Sequence, residues 1–200
     1  MPKISSEKIE HRKREIIAKA FEVFSAKGYA QATMEDIVKH SGISKGGLYT
    51  HFKSKEEIFL AIAEERFLLR SELVRQMAGI ESAAEKITKY LRWFLDSLRD
   101  TELRMGIRFT MEFWSILSRD AGGTDVSKER YAKFEKDLEE LLLEGIQKGE
   151  FRKDLNTKSA VYIILASLDG IGFTDAVMGI AAGDAVINDY INMILKFLRG

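Results

Sequence analysis

Residues Thr33 to Phe59 read TMEDIVKHSGISKGGLYTHFKSKEEIF, and their spacing predicts two short helices joined by a tight turn, a helix-turn-helix. Thr33 is followed three residues later by Asp36, the pattern of a side chain capping a helix start. Met34, Ile37, Val38 and Ser41 recur at the interval that lines one face of a helix. Gly42 ends that helix by taking the left-handed conformation, and Ile43 follows as the apolar anchor of the turn. Ser44 then caps a second helix in which Leu48 and Phe52, four apart, face inward.

The outward set of this second helix is small, basic and hydroxylic: Lys45, Gly46, Gly47, Tyr49, Thr50, His51 and Lys53. A glycine inside a helix costs about 1 kcal/mol relative to alanine, so two in succession call for an offsetting reason. Close approach of a bare helix start to the floor of the DNA major groove supplies one, with the free N–H groups favouring a nearby phosphate. A frayed helix end is the plainer alternative. Ser54 to Glu57 forms a further capping box, with Ile58, Phe59 and Ile62 as the buried stripe of the next helix. Lys55 lies in its first turn, where a cation opposes the helix dipole. A phosphate bound there would remove the mismatch, and a solvated surface lysine is the competing reading.

On these residues the chain resembles the TetR family of bacterial transcriptional regulators, whose signature runs T-x-x-x-I-A-x-x-A-G-V-S-x-G-x-L-Y-x-H-F-x-x-K-E-E-L. It is matched here at Thr33, Ile37, Gly42, Ser44, Gly46, Leu48, Tyr49, His51, Phe52, Lys55, Glu56 and Glu57. Val38, Ser41, Ile43 and Ile58 depart from it with side chains the turn and core tolerate, and Gly47 stands where many relatives carry threonine or alanine. The resemblance implies an all-α protein of about nine helices. Residues 1–55 would form the DNA-binding head and residues 56–200 an effector-binding and dimerisation body. DNA contact is expected at Thr33, Ser44, Lys45, Gly46, Gly47, Tyr49, Thr50, His51, Lys53 and Lys55.

Charge agrees with a divided molecule. The 200 residues sum to no net charge, yet residues 1–55 hold eleven Lys and Arg against six acids, leaving plus five there and minus five in the remainder. Phosphates attract such a head and repel such a body. Cysteine is absent, so disulfide and thiol chemistry are excluded, and the three histidines show no metal-ligand spacing. No cofactor is expected. Hydrolase, metalloprotease and phosphate-loop motifs are missing, which argues against an enzyme. The N-terminal residues lack the apolar run of a signal peptide, and the apolar region Ser159–Gly183 is broken by Asp169, Asp175 and glycines. A cytoplasmic protein without a membrane span is the expectation.

Helical spacing continues along the chain. A first helix from about Lys8 to Lys27 places Ile9, Ile16, Ala20, Phe21 and Phe24 together, and the fourth is expected to turn Ile58, Ile62, Leu69, Leu73 and Met77 inward. A fifth starts at the box Ser82–Glu85 with the stripe Ile87, Tyr90, Leu91, Phe94, Leu95 and Leu98. From Leu103 to Leu117 apolar residues point all round, which predicts an interior helix. Gly122 and Gly123 mark a loop before an amphipathic helix over Asp125–Gly149. Asn156 or Thr157 opens the most apolar helix, and Asp184 the last one.

The final two helices carry more apolar surface than one body hides, so a homodimer is predicted through them. The resemblance implies the same pairing into a four-helix bundle, which would hold two heads one DNA turn apart on a pseudo-palindromic operator. It further implies a cavity for a small apolar or amphipathic effector. Phe67, Trp93, Phe94, Met105, Phe109, Phe113, Tyr162 and Phe173 are candidate walls, with Arg104, Arg108, Glu112 and Asp169 as candidate polar contacts, although Asp169 suits a satisfied carboxylate at the subunit interface slightly better. The same aromatic residues at helical spacing also suit plain core. A repressor released by such an effector is the leading reading. The other is a helix-turn-helix binder without a small-molecule effector: an activator, an architectural protein or a regulator answering to a protein partner.

Overall fold

The computed structural model describes residues 6–119 and 123–200. Its helices are α1 (Ser6–Lys27), α2 (Met34–Ser41), α3 (Lys45–His51), α4 (Lys55–Gln76), α5 (Ala83–Ser97), α6 (Thr101–Leu117), α7 (Gly123–Gln147), α8 (Thr157–Ala176) and α9 (Asp184–Arg199), with a short 3-10 turn at Met77–Gly79. The described residues contain no strand, in keeping with the expected all-α class. Two compact units divide between Leu68 and Leu69, inside α4. This is later than the expected boundary at 55/56, because Ile58, Phe59, Ile62 and Ala63 are buried in the first unit.

In the head, Ile16, Ala20, Phe24, Ile37, Leu48 and Ile58 bury their side chains completely. Tyr29 fills the space between helices, its ring 5.5 Å from that of Phe24 and 5.6 Å from that of Phe59. Burial of such side chains contributes about 1.5–3 kcal/mol each, which lets helices as short as α2 and α3 persist. Ile9, expected on the buried face of α1, is exposed.

The body is a helical layer packing in which α8 lies against α5, α6 and α7, and α5 against α7 and α9. Ile87, Tyr90, Leu91 and Leu95 of α5 meet Leu138 and Leu142 of α7, Ile164 and Leu168 of α8 and Ile191 and Ile194 of α9 in one core. The α5 and α9 stripes are as expected: Ile187, Tyr190, Ile191, Ile194 and Leu198 are all buried.

Three expectations are corrected. Leu69 of α4 is 65% exposed, while Arg70 beside it is only 8% exposed. The guanidinium takes the inward position because its carbon sits 3.4 Å from the centroid of the Phe134 ring, where a weakly hydrated planar cation stacks well. In α6 only Gly106, Phe109, Phe113 and Leu117 are buried, so one face and not the whole circumference meets the core. The loop expected at Gly122 and Gly123 lies partly outside the described residues, and Gly123 already begins α7. By length and composition α8 is apolar enough to cross a membrane. Here Ala160, Val161, Ile164, Leu165, Leu168 and Gly172 form the inner face of a core helix.

Candidate functional site

Local hydrogen bonds shape the tip of the head. Thr33 Oγ1 accepts from Asp36 N at 3.1 Å, and the Asp36 carboxylate accepts from Thr33 N at 3.0 Å, completing the capping box of α2. Lys27 reaches the same carboxylate at 2.5 Å, and this bond, with those from Thr33, holds the Asp36 pKa down at about 2. Gly42 ends α2 at φ 69°, in the left-handed region, and its N–H donates to Val38 O. Ser44 Oγ accepts from Gly47 N at 3.1 Å and starts α3. The Ser54 hydroxyl accepts from Glu57 N, but the Glu57 carboxylate reaches past the cap to Lys53 N at 2.6 Å.

The two glycines of α3 differ in their surroundings. A Cβ built on Gly46 meets nothing within 4 Å, so the helix start is bare on its outer side. One on Gly47 lies 3.1 Å from Ser44 Oγ and 3.2 Å from Ile43 Cγ2, so this glycine relieves crowding at the cap. Lys45, Tyr49, Thr50 and Lys53 are exposed and His51 is half-buried. Thr50 Oγ1 donates to Gly46 O at 2.8 Å, and Lys45 pairs with Glu35 across the turn at 3.1 Å. Beyond Ser44, Lys45 and Thr50, two more of the expected DNA contacts are engaged internally. The Thr33 hydroxyl serves the α2 cap, and the Lys55 ammonium, expected at a phosphate, donates to the carbonyls of Tyr29, Ala30 and Ala32.

Of the candidate effector residues, Phe67 belongs to the first compact unit and the others to the second. Phe109 and Phe113 are buried outright, Phe94 packs against the core, and Met105 is half-buried. Trp93, Tyr162 and Phe173 expose large parts of their rings, and Arg108 is exposed. Arg104 Nε stands 3.2 Å from the buried carboxylate of Asp175, which also accepts from Ala182 N.

Spacing alone missed a polar cluster on Arg70. Its guanidinium carbon lies 5.6 Å from the centroid of the Tyr90 ring, and burial lowers its pKa against the pull of Tyr90, Asp137 and Asp169. Burial likewise raises Tyr90 to about 12. Asp169 is exposed on α8, yet crowding by protein atoms raises its pKa to about 6 against the opposing charge of Arg70.

A second internal device sits at the start of α5. The Glu150 carboxylate accepts from Ser82 Oγ at 2.7 Å, Ala83 N at 2.8 Å and Ala84 N at 3.0 Å, where the helix dipole favours an anion. Burial opposes its charge, but the bonds from Ala84, Ser82 and Ala83 prevail and its pKa falls below the usual carboxylate range. The surface depression lined by Glu81, Ser82, Lys148 and Glu150 is therefore a capped helix end.

A capped two-helix reader with a bare, exposed helix start, followed by a larger helical unit, defines a helix-turn-helix DNA-binding regulator. Residues 16–62 match the profile of bacterial regulatory proteins of the tetR family, and residues 82–185 that of the tetracyclin repressor-like C-terminal domain. The chain belongs to the TetR family of transcriptional regulators. It is 31% identical over 171 residues to the HTH-type transcriptional regulator YfiR of Bacillus subtilis (strain 168), covering 85% of this chain and 82% of that protein. The fold is similar to that of the fatty acid degradation regulator FadR from Bacillus halodurans, at a TM-score of 0.79 and 24% identity over 93% of this chain and 99% of that one. FadR from Bacillus subtilis, solved in complex with stearoyl-CoA, is similar at a TM-score of 0.72 and 25% identity, over 92% and 96% of the two chains. Regulators of this family bind DNA operators and dimerise.

Proposed function

We propose that the protein is a cytoplasmic repressor that occupies a pseudo-palindromic operator as a homodimer and leaves it when an apolar or amphipathic small molecule binds the body. The observation that carries this reading is the start of α3, where Gly46 leaves open space beside exposed Lys45, Tyr49 and Thr50. Such a surface suits close approach to a groove floor with phosphates at its edges. Ser44, Gly47, His51 and Lys53 complete the proposed interface.

The homodimer is assigned to α8 and α9 because Ile163 of α8, Val186 and Met193 of α9, and Met178 and Ile180 of the segment joining them are exposed, more apolar surface than a lone soluble subunit commonly carries. Tyr162 and Phe173 share the outer side of α8 and fit this role better than an effector wall. For the effector, the buried Arg70 supplies a polar group, and Phe94 and Met105 adaptable apolar ones. The stearoyl-CoA bound by the similar FadR supports an acyl-type amphiphile. A near-complete switch requires the effector to prefer the released state by about 10⁴-fold.

The test is selection of bound sequences from random DNA, followed by a release screen with acyl-CoAs and related amphiphiles. Recovered sequences should be two-fold symmetric, and at least one amphiphile should lower affinity for them. Met193→Asp should yield monomers by sedimentation and lose the symmetric site. Protein that binds no duplex at low salt, or binds asymmetric sites as a monomer, would reject the reading.

A further inference from the structure

The ammonium of Lys55 is saturated within the head. Nζ donates to Tyr29 O at 2.9 Å, Ala30 O at 3.2 Å and Ala32 O at 3.2 Å, one carbonyl for each of its three protons. It also lies 4.5 Å from the centroid of the Tyr29 ring, whose edge-on neighbour Phe59 stands one turn along α4. A cation at the first position of a helix is electrostatically misplaced, and here the three carbonyl dipoles offset that.

These carbonyls belong to the turn between α1 and α2, and Ala32 immediately precedes Thr33, the cap of α2. Only Gly42, Ile43 and Ser44 separate α2 from α3, so the attitude of α2 sets that of the reading helix. We propose that Lys55 is a positioning residue: its ammonium clasps the α1–α2 turn to the start of α4 and thereby holds α3 in the orientation that discriminates one DNA sequence from another. The proposal rests on the DNA-binding reading of the head. It assigns Lys55 a role in specificity and not in phosphate contact.

Arginine separates the two roles. A guanidinium serves a phosphate at least as well as an ammonium, but its planar fork does not reproduce three donors converging on one turn. The full chain, Lys55→Arg and Lys55→Met are to be titrated across a salt series with a duplex selected by the wild type and with an unrelated duplex. Both variants should lose affinity for the selected duplex by about tenfold or more, the scale of one hydrogen bond to a charged group. Affinity for the unrelated duplex and the salt slope on it should keep their wild-type values.

A wild-type-like Lys55→Arg, or a Lys55→Met slope reduced by about 0.9 on both duplexes, would make Lys55 a phosphate contact and overturn the proposal. Equal losses on both duplexes at unchanged slope, or no loss on the selected one, would overturn it as well. A second measurement needs no variant and no DNA. In wild-type protein with isotope-labelled lysine, the Lys55 ammonium protons should exchange slowly with water, and fast exchange would exclude the clasp. Wild-type protein that binds no duplex would sink the regulatory reading, while this measurement would still decide whether the clasp exists.

Discussion

Gly46 and Gly47 are neighbours of one kind with opposite reasons for being there. Open space beside Gly46 means that alanine at this position should stabilise α3 by about 1 kcal/mol, raising the melting temperature, while it weakens operator binding. Thermal unfolding and a binding titration on the same sample would show the two effects diverge; an undiminished affinity would remove the groove-floor argument. At Gly47 the contacts with Ser44 and Ile43 set the crowding against the propensity gain, so alanine should gain less stability there than at Gly46. Asp36 makes a prediction about acid. Its folded pKa of about 2 lies below the ordinary value of 3.8, so its contribution is complete above that ordinary value and is lost as pH falls through about 2. Asp36→Asn should flatten this part of the acid-unfolding curve, followed by circular dichroism, and an unaltered curve would deny Asp36 the role.

Among the elements, those fixed by neighbours a few residues apart are legible in the sequence. The Thr33–Asp36 box, the left-handed Gly42 and the Ser44 cap are all local signals, and the helices they bound fall at the expected residues. Elements whose inner face is chosen by distant partners are not. Arg70 displaces Leu69 from the inside of α4 because Phe134 and Tyr90, on two other helices, offer rings to stack on. In α6 and α8, apolar on most sides, periodicity carries too little contrast to tell a core face from an exposed one. Spacing alone allows Tyr162 and Phe173 as pocket walls, and both are exposed on α8. The candidate DNA contacts share one short stretch of sequence, but the internal bonding of Lys55 is not legible there, since its carbonyl partners lie 23 to 26 residues earlier. Packing also yields a prediction for α7. A Cβ on Gly145 would overlap the Phe151 ring, so Gly145→Ala should destabilise the protein by about 1–3 kcal/mol in chemical denaturation. Neutral behaviour would mean that the ring moves aside freely.

For the whole molecule, the titration of Asp169 contributes to how stability tracks pH between about 4 and 6. Its folded pKa of about 6 exceeds the ordinary 3.8, so the folded state holds its proton more tightly and stability falls as pH rises through that window. Asp169→Asn should remove this decline, raising the melting temperature relative to wild type more at pH 8 than at pH 4. A difference that is constant with pH would place Asp169 in open water. Glu150 acts over a longer span. Its carboxylate joins the end of α7 to residues 67 and 68 positions earlier in a chain that holds no cysteine. Closing so long a loop is the work that secreted proteins give to a sulfur bridge. Made of a carboxylate and amide protons, the same staple is indifferent to reductants, and strong acid is what opens it.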